Sequence, residues 1–171
     1  MNMLLQQSHD EIIRIIARLN PKSLLLIGPD TDEELNNRVD EVFNGIKSVI
    51  TGDNPIDKIE SKERYDLVYL YGLEKFEKQS ALHLIASLRD LHAEHLFLSV
   101  PHGDNWNTEE FSSEWTLNDL IACGLHLHCS FGEDEKQIQL YRFELSDYKT
   151  TPDWLNSRFW ANPELFDKYR W

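Results

Sequence analysis

The stretch Leu24-Leu25-Leu26-Ile27-Gly28-Pro29-Asp30-Thr31-Asp32 constrains this chain more than any other. Residues 23–27 form an apolar run of strand length. Being apolar on both faces, the run suits the interior of a parallel sheet. Residues 31–44 follow with helical spacing that turns Leu35, Val39, Val42 and Phe43 inward. A buried strand entering a helix through glycine is where nucleotide-binding α/β proteins keep their ligand loop. Here the loop holds one glycine. Pro29 has no amide hydrogen to offer. Asp30 and Asp32 carry side chains where glycines would let a ligand lie against the backbone. The scaffold of a cofactor-binding protein is present with an impaired cofactor loop.

The rest of the chain alternates in the same manner. Ser8-His9-Asp10-Glu11 fits a capping box, opening a helix with Ile12, Ile13, Ile16 and Leu19 on one face and Asn20-Pro21 at its end. Strands are expected over residues 46–50, 65–71, 94–100, 125–131 and 137–145, and a helix over 75–91 with Leu82, Ile85 and Leu88 on one stripe. Pro101-His102-Gly103 should stop the fourth strand. Thr116-Leu117-Asn118-Asp119 begins a further helix that Gly124 terminates. The turn Gly132-Glu133-Asp134-Glu135-Lys136 is short enough to require an antiparallel pair. This order predicts an α/β fold: a doubly wound, mostly parallel sheet closed by a C-terminal antiparallel hairpin. Residues 1–150 would form this domain and residues 151–171 an aromatic-rich appendage.

The charge balance narrows the partners. Seventeen basic against thirty acidic residues leave a net charge of −13, which repels phosphate backbones and anionic membranes alike. Nucleic acid and membrane are therefore not expected partners. The first residues lack the basic start and apolar run of a signal peptide, and no apolar run is long enough to span a bilayer, so the cytoplasm is the expected location. Two cysteines, Cys123 and Cys129, do not make a disulfide framework.

Several phrases together resemble the class I S-adenosylmethionine-dependent methyltransferases. Residues 24–28 look like that family's first strand and loop. Tyr65-Asp66-Leu67-Val68-Tyr69-Leu70 looks like its fourth strand, Leu96-Phe97-Leu98-Ser99-Val100-Pro101 like its fifth, and Asp119-Leu120-Ile121-Ala122-Cys123-Gly124-Leu125 like the step into its sixth. The resemblance covers residues 8–147 and rests on order more than identity. It implies a Rossmann-like fold with S-adenosylmethionine at Gly28, Asp30, Asp53, Tyr71 and Gly72. The family places an acid after its second strand, on the ribose, and another after its third, near the adenine; Asp53 matches either position. The family's acid before a G-x-G-x-G run is absent. The proline-rich loop of amino-group methyltransferases is replaced by Tyr71-Gly72-Leu73-Glu74, which argues against methyl transfer to adenine, cytosine or glutamine nitrogen.

The residues permit both a functional and a plain reading at each place. The loop 28–32 would hold the amino group of a sulfonium cofactor, or simply turn with Asp30 or Thr31 capping the next helix. A dinucleotide fits less well, because its pyrophosphate would meet Asp30, Asp32, Glu33 and Glu34. His102 is the candidate general base, being an imidazole expected beyond a strand's carboxyl end. His126, His128 and Cys129 lack convergent metal-ligand spacing, so no metal is expected. In the tail, Trp154, Phe159, Trp160, Phe166, Tyr169 and Trp171 offer an anchor for an unknown protein partner or for self-association. The functional expectation is a non-catalytic binding or interaction module that takes no cofactor. The alternative is an active S-adenosylmethionine-dependent methyltransferase acting on a small molecule or a protein.

Overall fold

A six-stranded sheet is the middle layer of the computed structural model, which describes residues 3–144. Its strands are β1 (Ser23–Gly28), β2 (Ile46–Thr51), β3 (Tyr65–Leu70), β4 (Ala93–His102), β5 (His126–Glu133) and β6 (Lys136–Glu144), in the spatial order β2-β1-β3-β4-β6-β5. The first four run parallel, and β6 runs antiparallel to both β4 and β5. The doubly wound sheet with its closing hairpin is thus present. The aromatic tail, the expected interaction anchor, lies outside the described residues.

Alternation along the strands explains the two-faced core. Leu24 and Leu26 of β1, Leu67 and Tyr69 of β3, and Phe97 of β4 face one way, onto α1 (Met3–Leu19) and α2 (Glu33–Val42). Leu25, Ile27, Val68, Leu70, Leu96 and Leu98 face the other way, onto α3 (Lys78–Ser87) and the segment ending in α4 (Leu117–Ala122). Both faces are dry, which is why β1 reads as unbroken apolar sequence.

Four local expectations are corrected. First, α1 begins at Met3, so Ser8 is not its cap. Met, Leu and Gln are good helix formers, and the helix runs on through them. Ser8 and His9 are buried on its inner face, one turn before Ile12 and two before Ile16. Second, α2 is capped by Asp32, whose carboxylate accepts from the Leu35 amide at 2.9 Å, rather than by Asp30 or Thr31. Val42 is 40% exposed, since α2 ends there and the chain straightens at Phe43. Third, the helix expected from residue 75 starts at Lys78 under a Glu77 cap and widens into a π-turn over Leu88–His92. Fourth, β4 runs through Pro101 to His102. Beyond Leu98 it has lost β3 and pairs only with β6, and a one-sided strand tolerates a missing N–H.

The cap of α4 is as expected and tight. Thr116 and Asp119 form a reciprocal capping box, and Lys78 from α3 hydrogen-bonds the Asp119 carboxylate at 2.9 Å. The Thr116 amide and hydroxyl and the Lys78 ammonium hold that carboxyl down, at about 2. A depressed carboxyl stabilises the fold above its unfolded value near 4, and the contribution is lost as pH falls toward that lower value. Thr116→Ala should lower unfolding free energy by about 1 kcal/mol in urea denaturation, whereas an unchanged midpoint would contradict the cap.

Candidate functional site

The carboxyl ends of β1 and β3 should leave a crevice where a ligand can lie. In this chain they close on each other. Tyr71, one residue beyond β3, keeps the sheet pairing by donating its amide to the Ile27 carbonyl at 2.9 Å. Its ring turns onto the α1/α2 face and lies against the Gly28 backbone. A β-carbon added at Gly28 would sit 2.1 Å from Tyr71 Cε2 and 2.7 Å from its hydroxyl. The hydroxyl donates to the Asp30 carbonyl at 2.8 Å and faces the Asp32 amide at 3.4 Å. Gly72 has φ +67°, and its added β-carbon would meet Pro29 Cδ at 2.7 Å. On the far side, the Gly52 amide donates to the Pro29 carbonyl at 3.1 Å. Glycine at 28 therefore makes room for a side chain of the same protein.

A buried polar cluster backs this closure. The His9 ring meets Tyr69 and Tyr71 edge-on, with centroids 5.8 and 5.9 Å away. Its Nδ1 lies 3.8 Å from Asp32, and its Nε2 has no hydrogen-bond partner among the described residues. Burial lowers the imidazole's pKa, with the Asp32 charge opposing. Tyr69 donates to Ser99 at 3.1 Å and lies 3.4 Å from the Ser8 hydroxyl, and burial raises its phenol strongly.

The structure brings some of the candidate residues together and separates the others. Asp30, Tyr71 and Gly72 line a cavity of about 870 Å³, together with Ser99, Pro101, Trp106, Phe111, Lys136 and Ile138. Gly28 is buried behind Tyr71 and does not reach its wall. His102 is exposed and lines an adjoining cavity of about 360 Å³ beside Trp115 and Thr116; its carbonyl accepts from the Trp106 indole at 3.0 Å. Asp53 is exposed on a third groove of about 330 Å³, with Phe76 and His83. Glu74 stands between the first two cavities, and burial raises its carboxyl. Among the described residues no three His, Cys, Asp or Glu side chains group to hold a metal. Nor is any helix long and apolar enough to cross a membrane. His128 meets Glu11 at 3.3 Å and the Phe97 ring edge-on, while His92 bonds the Glu63 carbonyl at 2.6 Å.

The sheet order places β2, and so Asp53 after it, beside β1. In doubly wound sheets that place belongs to the second strand, so the element absent here is the outer one. Trp106, Phe111, Glu74 and His9 were not singled out from the sequence. A tryptophan in the polar stretch Asn105-Trp106-Asn107 was the available signal for the cavity wall.

This architecture is shared with solved methyltransferases. The methyltransferase domain of bacterial CtHen1 is similar over 82% of this chain and all of that one, at 12% identity and a TM-score of 0.53. N-methyltransferase NodS from Bradyrhizobium japonicum WM9, in complex with S-adenosylhomocysteine, is similar over 83% of this chain and 87% of its own, at 16% identity and a TM-score of 0.53. A 1,6-didemethyltoxoflavin-N1-methyltransferase from Burkholderia thailandensis, with S-adenosylhomocysteine bound, is similar over 80% and 78%, at 11% identity and a TM-score of 0.50. The fold is therefore of the methyltransferase type. Within it, the chain belongs to a family of unknown function, DUF6231, which it matches over residues 6–171. A comparison with curated proteins found no match.

The contact between Tyr71 and Gly28 is testable by a double-mutant cycle. Gly28→Ala should cost about 1–3 kcal/mol of stability in the native background, and much less in Tyr71→Ala. Equal costs in both backgrounds, read from urea unfolding, would contradict the contact.

Proposed function

We propose that this protein is a non-catalytic binding module built on a methyltransferase scaffold. One observation carries the reading: the Tyr71 ring fills the space over Gly28 and ties its hydroxyl to the loop at Asp30. An adenosyl ligand approaching that loop must first swing the phenol away. Tyr71 is 5% exposed, so its release gives up aromatic burial and a hydrogen bond, about 3 kcal/mol in all. That penalty weakens binding by about a hundredfold. Pro29 offers no amide hydrogen. Asp53, the acid positioned for a ribose, opens onto a different groove from Tyr71 and Gly72. These residues do not fit S-adenosylmethionine, and no methyl-transfer step is assigned. The aromatic residues of the tail, from Trp154 to Trp171, support contact with a protein partner or a second copy.

The second reading is an active S-adenosylmethionine-dependent methyltransferase. It draws on the cavity of about 870 Å³ at the carboxyl edge of the sheet, the edge where ligands bind in such folds.

Isothermal titration separates the two. S-adenosylhomocysteine titrated to about 20 μM should give no saturable heat and no rise in melting temperature. A micromolar dissociation constant would overturn the non-catalytic reading.

A further inference from the structure

The sheet has two outer strands, β2 and β5, and the chain protects them unequally. Along β5 the pairing with β6 slips at a bulge between Leu127 and Cys129, and His126, His128 and Glu133 make the strand polar. Bulges and charges are how an edge strand is kept from recruiting another strand. β2 has neither defence. It pairs with β1 regularly across all six of its residues and holds no proline. Lys47 is its one charged residue, and that ammonium is drawn over α2 to the Asp40 carboxylate. Ile46 is 72% exposed and Val49 38%. Among the described residues no strand lies beyond β2.

The direction of the backbone groups is fixed. The Ile46 amide donates to the Lys22 carbonyl at 2.9 Å. Strand residues alternate, so the amides and carbonyls of Ile46, Ser48 and Ile50 serve β1, and those of Lys47 and Val49 point out of the sheet. The side chains alternate as well. Ile50 packs on the α3 side, while Lys47 and Val49 line an open groove beside Glu33, Asn36 and Asn37 of α2. Charge selects what can approach. Two copies of a molecule with net charge −13 repel over most of their surfaces. Residues 43–52, however, contain no acid, in a chain that carries thirty.

We propose that β2 pairs antiparallel with β2 of a second copy, about a two-fold axis at Ser48, joining the two sheets edge to edge. In this register Lys47 and Val49 of one copy exchange backbone hydrogen bonds with Val49 and Lys47 of the other. Ile46 lies across from Ile50, and Ser48 across from Ser48. Each exposed Ile46 gains an apolar neighbour, and the two lysines face valines rather than each other. Moving the axis to Val49 sets Ile46 against Gly52 and leaves it bare. A two-fold interface needs a surface complementary to itself, and this strand supplies one. The pairing goes beyond the non-catalytic reading and does not depend on it.

Sedimentation equilibrium of the full chain at about 50 μM, in about 150 mM salt to screen the acidic surfaces, provides the test. A mass twice the chain's 20.1 kDa is expected. Val49→Pro removes an outward amide that the β1 ladder does not use, so the fold should survive while the dimer weakens by about tenfold or more. Ile46→Asp should weaken it likewise, and serves where melting curves show that Val49→Pro does not fold. Leu127→Asp, at a 48% exposed position on the opposite edge, should leave the mass doubled. Register is read by cross-linking. Antiparallel partners that share no hydrogen bonds bring their α-carbons to about 4.5 Å, within disulfide reach. With Cys123 and Cys129 replaced by serine, Ser48→Cys should therefore oxidise to a covalent dimer, and Lys47→Cys and Val49→Cys should do so far less. A monomer mass for the native chain would overturn the proposal. So would a dimer that Val49→Pro and Ile46→Asp leave intact, equal weakening by Leu127→Asp, or cross-linking at Val49→Cys in preference to Ser48→Cys. None of these readouts involves S-adenosylhomocysteine, so this proposal and the preceding reading fail independently.

Discussion

Tyr71 and Gly28 meet at the point where β1 and β3 release their chains, and the character of the whole edge depends on that meeting. The glycine is needed because an aromatic ring takes the space of its side chain. The ring stays because its hydroxyl donates to Asp30 and its edge is held by the His9 imidazole. Asp32 joins the same unit twice, as the cap of α2 and as the carboxylate nearest His9. Helix α1, loop 28–32 and the end of β3 are one packed body. A ligand that opened it would disturb three elements at once.

The consequence is a division of labour along the sheet edge. The β1/β3 exit, where doubly wound proteins usually grip a cofactor, is closed. The space that remains runs in front of this closure, from the acidic stretch Asp30–Glu34 and Gly72 to β4 and the loop carrying the aromatic Trp106 and Phe111. Asp53 sits on the far side of the closure, after β2, and opens onto a groove of its own. The geometry therefore separates residues that a cofactor site would bring together.

Sheet architecture was legible because its signals are local. Four consecutive apolar residues, Leu24 to Ile27, make a buried strand, Thr116 and Asp119 make a cap, and a short acidic turn makes a hairpin. Tyr71 was legible only as a residue of the rim. Whether its ring points outward to a ligand or inward to Gly28 depends on His9, sixty-odd residues earlier in the chain, and no spacing rule connects the two. Ser8 and His9 illustrate the same limit. They satisfy a capping-box pattern, yet tertiary burial against Tyr69 keeps them inside a longer helix. The cavity wall was illegible for a related reason. Trp106, Glu74 and Lys136 come from three separated segments that meet through the pairing of β4 with β3 on one side and β6 on the other.

The ring of Tyr71 over Gly28 can be read directly by nuclear magnetic resonance. An aromatic ring held against a glycine displaces its α-protons from their ordinary positions through the ring current. The account predicts strongly displaced Gly28 α-protons in the native protein, restored to ordinary positions in Tyr71→Ala and unmoved by added S-adenosylhomocysteine. Ordinary Gly28 shifts in the native protein, or their movement on adding that ligand, would contradict it.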